Sequence, residues 1–387
     1  MIYLDNNATT RLDDVVIEHM TTVMKDNYAN ASSTQHKAGR SANSLVEKAR
    51  QSIATLLNIT PKEIIFTSGA TESINLAIKG LYNRLQSFGK HIITCATEHS
   101  AVMSSCKQLE YIGADITYLP VKHDGQIDLE LLDQSIRKDT ILVCIMSCNN
   151  ETGILHPIES ISAICKSHHT PFFCDVTQSI GKEIINFNLV DYACFSAHKF
   201  HGPKGIGVLY SKNNNRGSQL TPLLSGGSQE SGLRPGTYNT PAIVGMAKAL
   251  EIALQTDRDT IMNLRDYMED EIKRRIPEVH INGHDVSRID NTSNIIFKHV
   301  RSSLLFSQLP NIALAAGSAC ITGDSEPSHV LTAMHMSKED ALCAVRFSLS
   351  KFNTKTEIDH MLDTLEKSIV QLRSESPTWA LFKAGLL

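Results

Sequence analysis

Short apolar runs alternate with longer stretches of helical period through the N-terminal two thirds of the chain. Glu63-Ile64-Ile65-Phe66, His91-Ile92-Ile93-Thr94-Cys95, Ile116 to Leu119, Ile141 to Met146, Pro171 to Cys174, Tyr192 to Phe195 and Ile206 to Tyr210 read as strands. They are short and almost wholly apolar, as strands covered on both faces are. Helical periodicity runs from Asp14 to about Lys25, Gly39 to about Asn58, Thr71 to Gln86 and Ala101 to Ile112. Such alternation predicts an α/β fold with a parallel-rich sheet and helices on both faces. Thr240 to Leu254 reads as the helix that closes this large domain. Glu269 to Ile276, Ser293 to Phe297, Lys338 to Phe347 and Thr356 to Leu372 then suggest a smaller α+β domain. The polar Gln255-Thr256-Asp257-Arg258 marks the boundary. The expected organisation is an arm over residues 1–13 packing with the small domain, a large domain over 14–256 and a small domain over 257–387. No internal repeat or low-complexity segment interrupts it.

In open α/β sheets ligands bind beyond the carboxyl ends of the strands, and the chemically distinctive motifs fall at such ends. Thr67-Ser68-Gly69-Ala70-Thr71-Glu72-Ser73 is a small-residue turn opening a helix, whose free N–H groups can seat a phosphate or simply be capped. Thr97-Glu98-His99 follows the next strand, where His99 can cover a flat ring or cap a helix. Asn149-Asn150-Glu151 and Asp175-Val176-Thr177-Gln178 follow two more. Asp175 can hold a pyridine nitrogen protonated, the condition under which a pyridine cofactor accepts electron density, or cap a helix. Last comes Phe195-Ser196-Ala197-His198-Lys199-Phe200-His201-Gly202-Pro203-Lys204. A lysine between two buried strands is costly while charged, and one with a lowered pKa suits imine chemistry. Lys199 is the candidate, and Lys204, in a Gly-Pro-Lys-Gly turn, the competitor.

Composition narrows the partners rather than the chemistry. Of 387 residues, 42% are hydrophobic and 20% charged, an ordinary globular balance. A net charge of -4 argues against a nucleic-acid or anionic-membrane surface as the main partner. No apolar run approaches the ~20 residues of a membrane span. The start, Met1-Ile2-Tyr3-Leu4-Asp5, lacks a secretory signal pattern, so a cytoplasmic location is expected. The nine cysteines are scattered. Cys144 and Cys148 are placed on one face of a strand, and with Cys95, Cys174 and Cys194 are read as buried thiols. Cys165-Lys166-Ser167-His168-His169 has no second half at zinc-site spacing, so no metal is expected.

Taken together, the motifs identify a resemblance that covers nearly the whole chain. Tyr3-Leu4-Asp5-Asn6-Asn7-Ala8-Thr9-Thr10, Ser68 to Ser73, Thr97 to His99, Asn149 to Glu151, Ser196 to Lys199, Gly317-Ser318-Ala319-Cys320 and Arg346-Phe347-Ser348 resemble those of NifS/IscS-type cysteine desulfurases. These are class-V, fold-type I pyridoxal 5′-phosphate enzymes. The resemblance implies a mainly parallel seven-stranded sheet in the large domain and a small domain carrying the catalytic-cysteine loop. It implies that Lys199 holds the cofactor covalently and later shuttles protons. Asp175 would pair with the ring nitrogen, His99 stack on the ring, and Gln178 bond the phenolic oxygen. Thr71, Ser196 and His198 would hold the phosphate together with the backbone at Gly69 and Ala70. Thr237 would reach the phosphate of a partner subunit, which implies a homodimer. Asn150 and Arg346 would hold the carboxylate of L-cysteine, Arg346 as a bidentate fork. Cys320 would take the substrate sulfur as a persulfide, releasing L-alanine. It would then pass the sulfur to an acceptor protein for iron–sulfur assembly or nucleic-acid thiolation. The sequence departs from the pattern at Ala31, Ala315-Ala316, Ile321 and Ser228-Gln229-Glu230 without removing a catalytic group. A selenocysteine lyase or other β-eliminating enzyme is the alternative within the fold, and a non-catalytic sulfur-relay or scaffold protein the alternative outside catalysis.

Overall fold

The computed structural model describes residues 1–212, 220–316 and 326–386. In chain order the strands are β1 (Ile2–Tyr3), β2 (Ile64–Thr67), β3 (His91–Cys95), β4 (Asp115–Leu119), β5 (Thr140–Cys144), β6 (Phe172–Asp175), β7 (Tyr192–Ser196), β8 (Gly207–Ser211), β9 (Val279–Ile281), β10 (Thr292–Phe297), β11 (Ile312–Ala313) and β12 (Ala344–Ser348). Seven of them form one sheet in the order β2-β8-β7-β6-β5-β3-β4. All but β8 run the same way; β8 is antiparallel to both β7 and β2. The reason is the short link after Ser196, which is too brief for the crossover that a parallel neighbour needs.

Side chains on these strands alternate between two cores. Phe66, Ile93, Val143, Phe172, Phe195 and Val208 pack under helices Asp14–Asp26, Lys37–Leu57 and Thr240–Leu254. Ile65, Ile92, Leu142, Phe173, Cys194 and Leu209 pack under helices Ala70–Leu85 and Ser100–Glu110. Each strand thus feeds both faces at a period of two, which is why its sequence reads as a continuous apolar run. β5 ends at Cys144, short of the expected Met146, because the Met146 N–H donates to Glu98 Oε1 at 2.6 Å and so leaves the ladder. Cys148 is therefore not on a strand face with Cys144. It is buried beyond the strand end, beside the catalytic cavity described below.

Strands β9, β10 and β12 form a separate antiparallel sheet in the order β12-β10-β9. Helices Arg258–Arg275 and Lys355–Ser374 cover it through Ile261, Met268, Ile272, Ile358, Leu362 and Leu365. The first of these begins well before Glu269. Asp257 caps it by accepting from Asp259 N and Thr260 N, and its charged outer face hides the apolar spacing from a sequence reading. The Lys338–Phe347 stretch divides into a helix, Lys338–Leu342, and β12. β1 pairs in parallel with β11, and Asp5 bridges to Ser348. Among the described residues no helix is long and apolar enough to cross a membrane.

Candidate active site

Because the strands other than β8 share one direction, their carboxyl ends lie along one edge of the sheet, and the motif turns gather there. They enclose a cavity of about 190 Å3 whose wall includes Ala70, Thr71, His99, Asn150, Asp175, Gln178, Ser196, His198 and Lys199. Positions that the sequence singled out, spread from Ala70 to Lys199, are thereby brought together.

At one end the helix Ala70–Leu85 points its first turn into the cavity. The Ala70 N–H donates to Ser196 Oγ at 2.6 Å, and Thr71 is exposed beside it. The approach depends on glycine: a Cβ on Gly207 would lie 2.6 Å from Gly69 Cα and 2.5 Å from Phe195 O. His198 Nδ1 lies 3.1 Å from Thr9 Oγ1. Burial, then the charges of Lys199 and Lys204, push His198 down to about 4, so it is neutral at pH 7.

In the middle stand Asp175 and Lys199. Asp175, at the end of β6, is 5% exposed, and its Oδ1 accepts from Thr177 N at 2.9 Å. Lys199 follows β7, and its Nζ donates to Asn7 O at 2.5 Å and Ala8 O at 3.0 Å. Two carbonyls solvate the ammonium without neutralising it. Burial first, and then the charge of Arg346, push Lys199 down to about 8, against the pull of Asp175 and Asp5. Lys204 is exposed and does not border this cavity.

His99 caps a helix and also borders the cavity. Its Nδ1 accepts from Ala101 N at 3.1 Å and caps the helix Ser100–Glu110, while the ring stays open to the cavity. The surrounding protein, Lys199 and His329 lower its pKa against the opposing charge of Asp175. Gln178 Nε2 donates to Asn7 O at 3.0 Å, and its buried Oε1 has no partner.

Arg346 approaches from β12. It is 4% exposed; NH1 donates to Asn150 O at 2.9 Å, NH2 to Asp5 Oδ1 at 2.6 Å, and Nε is buried without an acceptor among the described residues. One side of the guanidinium is thus braced and Nε–H is unused. Thr237 is exposed and does not border this cavity. Cys320 and its neighbours Gly317, Ser318 and Ala319 lie outside the described residues.

Three groups of the site have no role in the sequence reading. Asn7 ties the arm to both halves: its carbonyl receives Lys199 and Gln178, while Nδ2 donates to Thr292 Oγ1 at 2.8 Å and Asn150 O at 3.2 Å. Asp5 braces Arg346. Glu98, 1% exposed, has its pKa pushed well above the ordinary carboxylate value by burial and by nearby Asp175, against the hydrogen bond it accepts from Met146 N. In the sequence Asp5 and Asn7 stand only within the Tyr3–Thr10 motif, with no contact assigned to them.

The family model for class-V aminotransferases matches residues 2–361. The chain belongs to the class-V aminotransferase family. Cysteine desulfurase IscS of Shewanella loihica is 43% identical over 392 residues, covering 100% of this chain and 96% of that protein. A solved NifS-like protein matches with a TM-score of 0.87 at 39% identity, over 95% of this chain and 98% of its own. SspA in complex with cysteine matches with a TM-score of 0.82 at 36% identity, over 92% of this chain and 100% of its own. As a class-V aminotransferase of fold type I, the chain uses pyridoxal 5′-phosphate. The site fits that group. The helix N-terminus with Ser196 and Thr71 suits its phosphate, Asp175 its ring nitrogen and Lys199 its aldehyde. The orphaned Oε1 of Gln178 marks a buried polar position awaiting a partner.

Proposed function

We propose that this chain is a cysteine desulfurase that converts L-cysteine to L-alanine and moves the sulfur onto Cys320. The observation that carries the reading is Lys199, held at a pKa of about 8 in the same cavity as a buried aspartate. Pyridoxal phosphate, when bound, supplies an electron-poor ring that takes up the density released at the substrate Cα.

The chain's own groups do the rest. Asp175 keeps a proton on the ring nitrogen. Lys199 has an accessible neutral form near neutrality, so its nitrogen can take the proton from Cα and return one later. Arg346, already braced by Asp5 and Asn150 O, offers its unused Nε–H to the substrate carboxylate. His99 covers the ring and helps exclude water. The Cys320 thiolate forms a bond to the substrate sulfur while the C–S bond breaks. The electron pair stays with the carbon, where a proton completes the methyl group of alanine, and the enzyme is left as Cys–S–SH.

The wider organisation is inferred with it. Residues 14–256 act as the cofactor-binding unit and 257–387 as the unit carrying Cys320, joined through the arm over 1–13. Two copies form a homodimer in which Thr237 serves the phosphate of the other copy. The enzyme works in the cytoplasm and hands its sulfur to a protein of iron–sulfur assembly or nucleic-acid thiolation. The test is Cys320→Ser supplied with L-cysteine. It should bind cofactor normally yet form neither alanine nor a protein persulfide, since a hydroxyl is a poor nucleophile toward thiol sulfur. Alanine formation at the wild-type rate would overturn the reading, and activity confined to selenocysteine would make the chain a lyase.

A further inference from the structure

Lys199 also borders a second cavity, of about 20 Å3, enough for one water or one monatomic ion. Its wall joins the two sheets' territories. Lys182 lies beyond the end of β6, Arg258 in the first turn of its helix, and Lys351 just after β12. The charged groups here are not equally answered. Lys351 is held by Asp13, and the NH2 of Arg258 by Asp290. The Arg258 Nε–H, however, is buried with no acceptor among the described residues. Among the described residues the Lys182 ammonium makes neither a hydrogen bond nor an ion pair. The hydroxyl of Thr10, on the same wall, already donates to His198 O at 2.9 Å. The Lys182 ammonium and the Arg258 Nε–H are thus two donors on this wall without a partner among the described residues.

Lys182 is half-buried, and the charge of Asp290 reaches it without forming an ion pair, so its ammonium is only partly answered. Burial, followed by repulsion from Arg258, pushes Lys182 down to about 8, and Lys199 adds to the repulsion. Burial and the charge of Asp290 push the neighbouring Glu183 carboxyl up, against the opposing charges of Arg258 and Lys182. A water molecule would satisfy the donors but would bring two O–H groups needing acceptors of their own. An anion accepts only, and cancels charge as it does so.

We propose that this cavity is a binding site for a monatomic inorganic anion of chloride's size, held by the Lys182 ammonium and the Arg258 Nε–H. The ion bridges segments packed with the large sheet to segments packed with the small one. It stabilises the folded chain by mass action, since the unfolded chain has no such site.

The test uses the holoenzyme and does not depend on turnover, so its outcome stands apart from that of the desulfurase reading. At constant ionic strength, replacing sodium gluconate by sodium chloride should raise the thermal midpoint by a few degrees and then saturate. Lys182→Met should abolish the chloride response. Crystals soaked in sodium bromide should show an anomalous peak in the cavity, a measurement on the wild-type chain that needs no variant to fold. Absence of that peak, with a chloride-independent midpoint, would overturn the proposal in favour of a water. A peak with no saturable thermal response would mark an adventitious ion only and overturn it equally.

Discussion

Lys199 donates to two carbonyls of the arm, and that contact shows how a single residue was half legible. Its place after an apolar strand, following Asp175 in the series of strand ends, marks it in sequence as the candidate cofactor lysine, with Lys204 as competitor. The carbonyls of Asn7 and Ala8 that receive it lie some 190 residues away along the chain. No spacing rule joins them. Burial and Arg346 lower its pKa to about 8, which places its neutral form within reach near physiological pH. Lys199→Ala should therefore abolish turnover and the borohydride-reducible attachment of the cofactor, whereas Lys204→Ala, at an exposed turn, should leave both within about twofold. Mass mapping of the reduced protein reads the result directly. A label that persisted in the Lys199 variant would sink the assignment.

The loop that carries Thr237 is an element whose placement rests on one buried ion pair. Arg50, on the helix Lys37–Leu57, donates to Glu230 through NH1 at 3.0 Å and NH2 at 2.6 Å. Glu230 Oε2 also accepts from Phe66 N at 2.9 Å, which fastens the loop to β2. A second pair, Arg234 Nε to Glu72 Oε1 at 2.9 Å, fastens it to the helix Ala70–Leu85. Glu230 and Ser231 hold φ values of 48° and 56°, backbone that the two pairs must keep in place. Glu230→Ala leaves Arg50 buried and Phe66 N without its acceptor, so it should cost about 3–5 kcal/mol. Urea unfolding measures that loss. Replacing both partners by methionine should recover much of it, whereas a purely local backbone role for Glu230 predicts no recovery. From sequence this loop showed only as a departure, Ser228-Gln229-Glu230, because the partner of Glu230 lies on a helix far up the chain.

Across the molecule, buried neutral histidines make the fold sensitive to acid. His156, 5% exposed and with neither ring nitrogen partnered, is pushed down to about 4 by burial alone. His198 and His201 sit near the same value. Their folded-state pKa values lie below the ordinary 6.5, so on acidification the unfolded chain takes up protons first. The stability they contribute is complete above about pH 6.5 and is lost as pH falls toward 4. For His156 the loss at pH 5 is on the order of 2 kcal/mol. His156→Leu should narrow the gap between the thermal midpoints at pH 7 and pH 5; an unchanged gap would mean that this ring is protonated in the folded chain. The same packing separates what the sequence carries from what it does not. The strands, their helices on both faces and the site residues at their carboxyl ends were determined by the sequence, because periodicity and strand-end chemistry are local. The antiparallel insertion of β8, the full extent of the helix beginning at Arg258, and the joining of Asp5 and Asn7 to Arg346 and Lys199 were decided only by tertiary structure. So were the raised pKa of Glu98 and the lowered pKa of Lys182. Those outcomes depend on which groups are removed from water and what then faces them, and burial belongs to the folded assembly rather than to any stretch of chain.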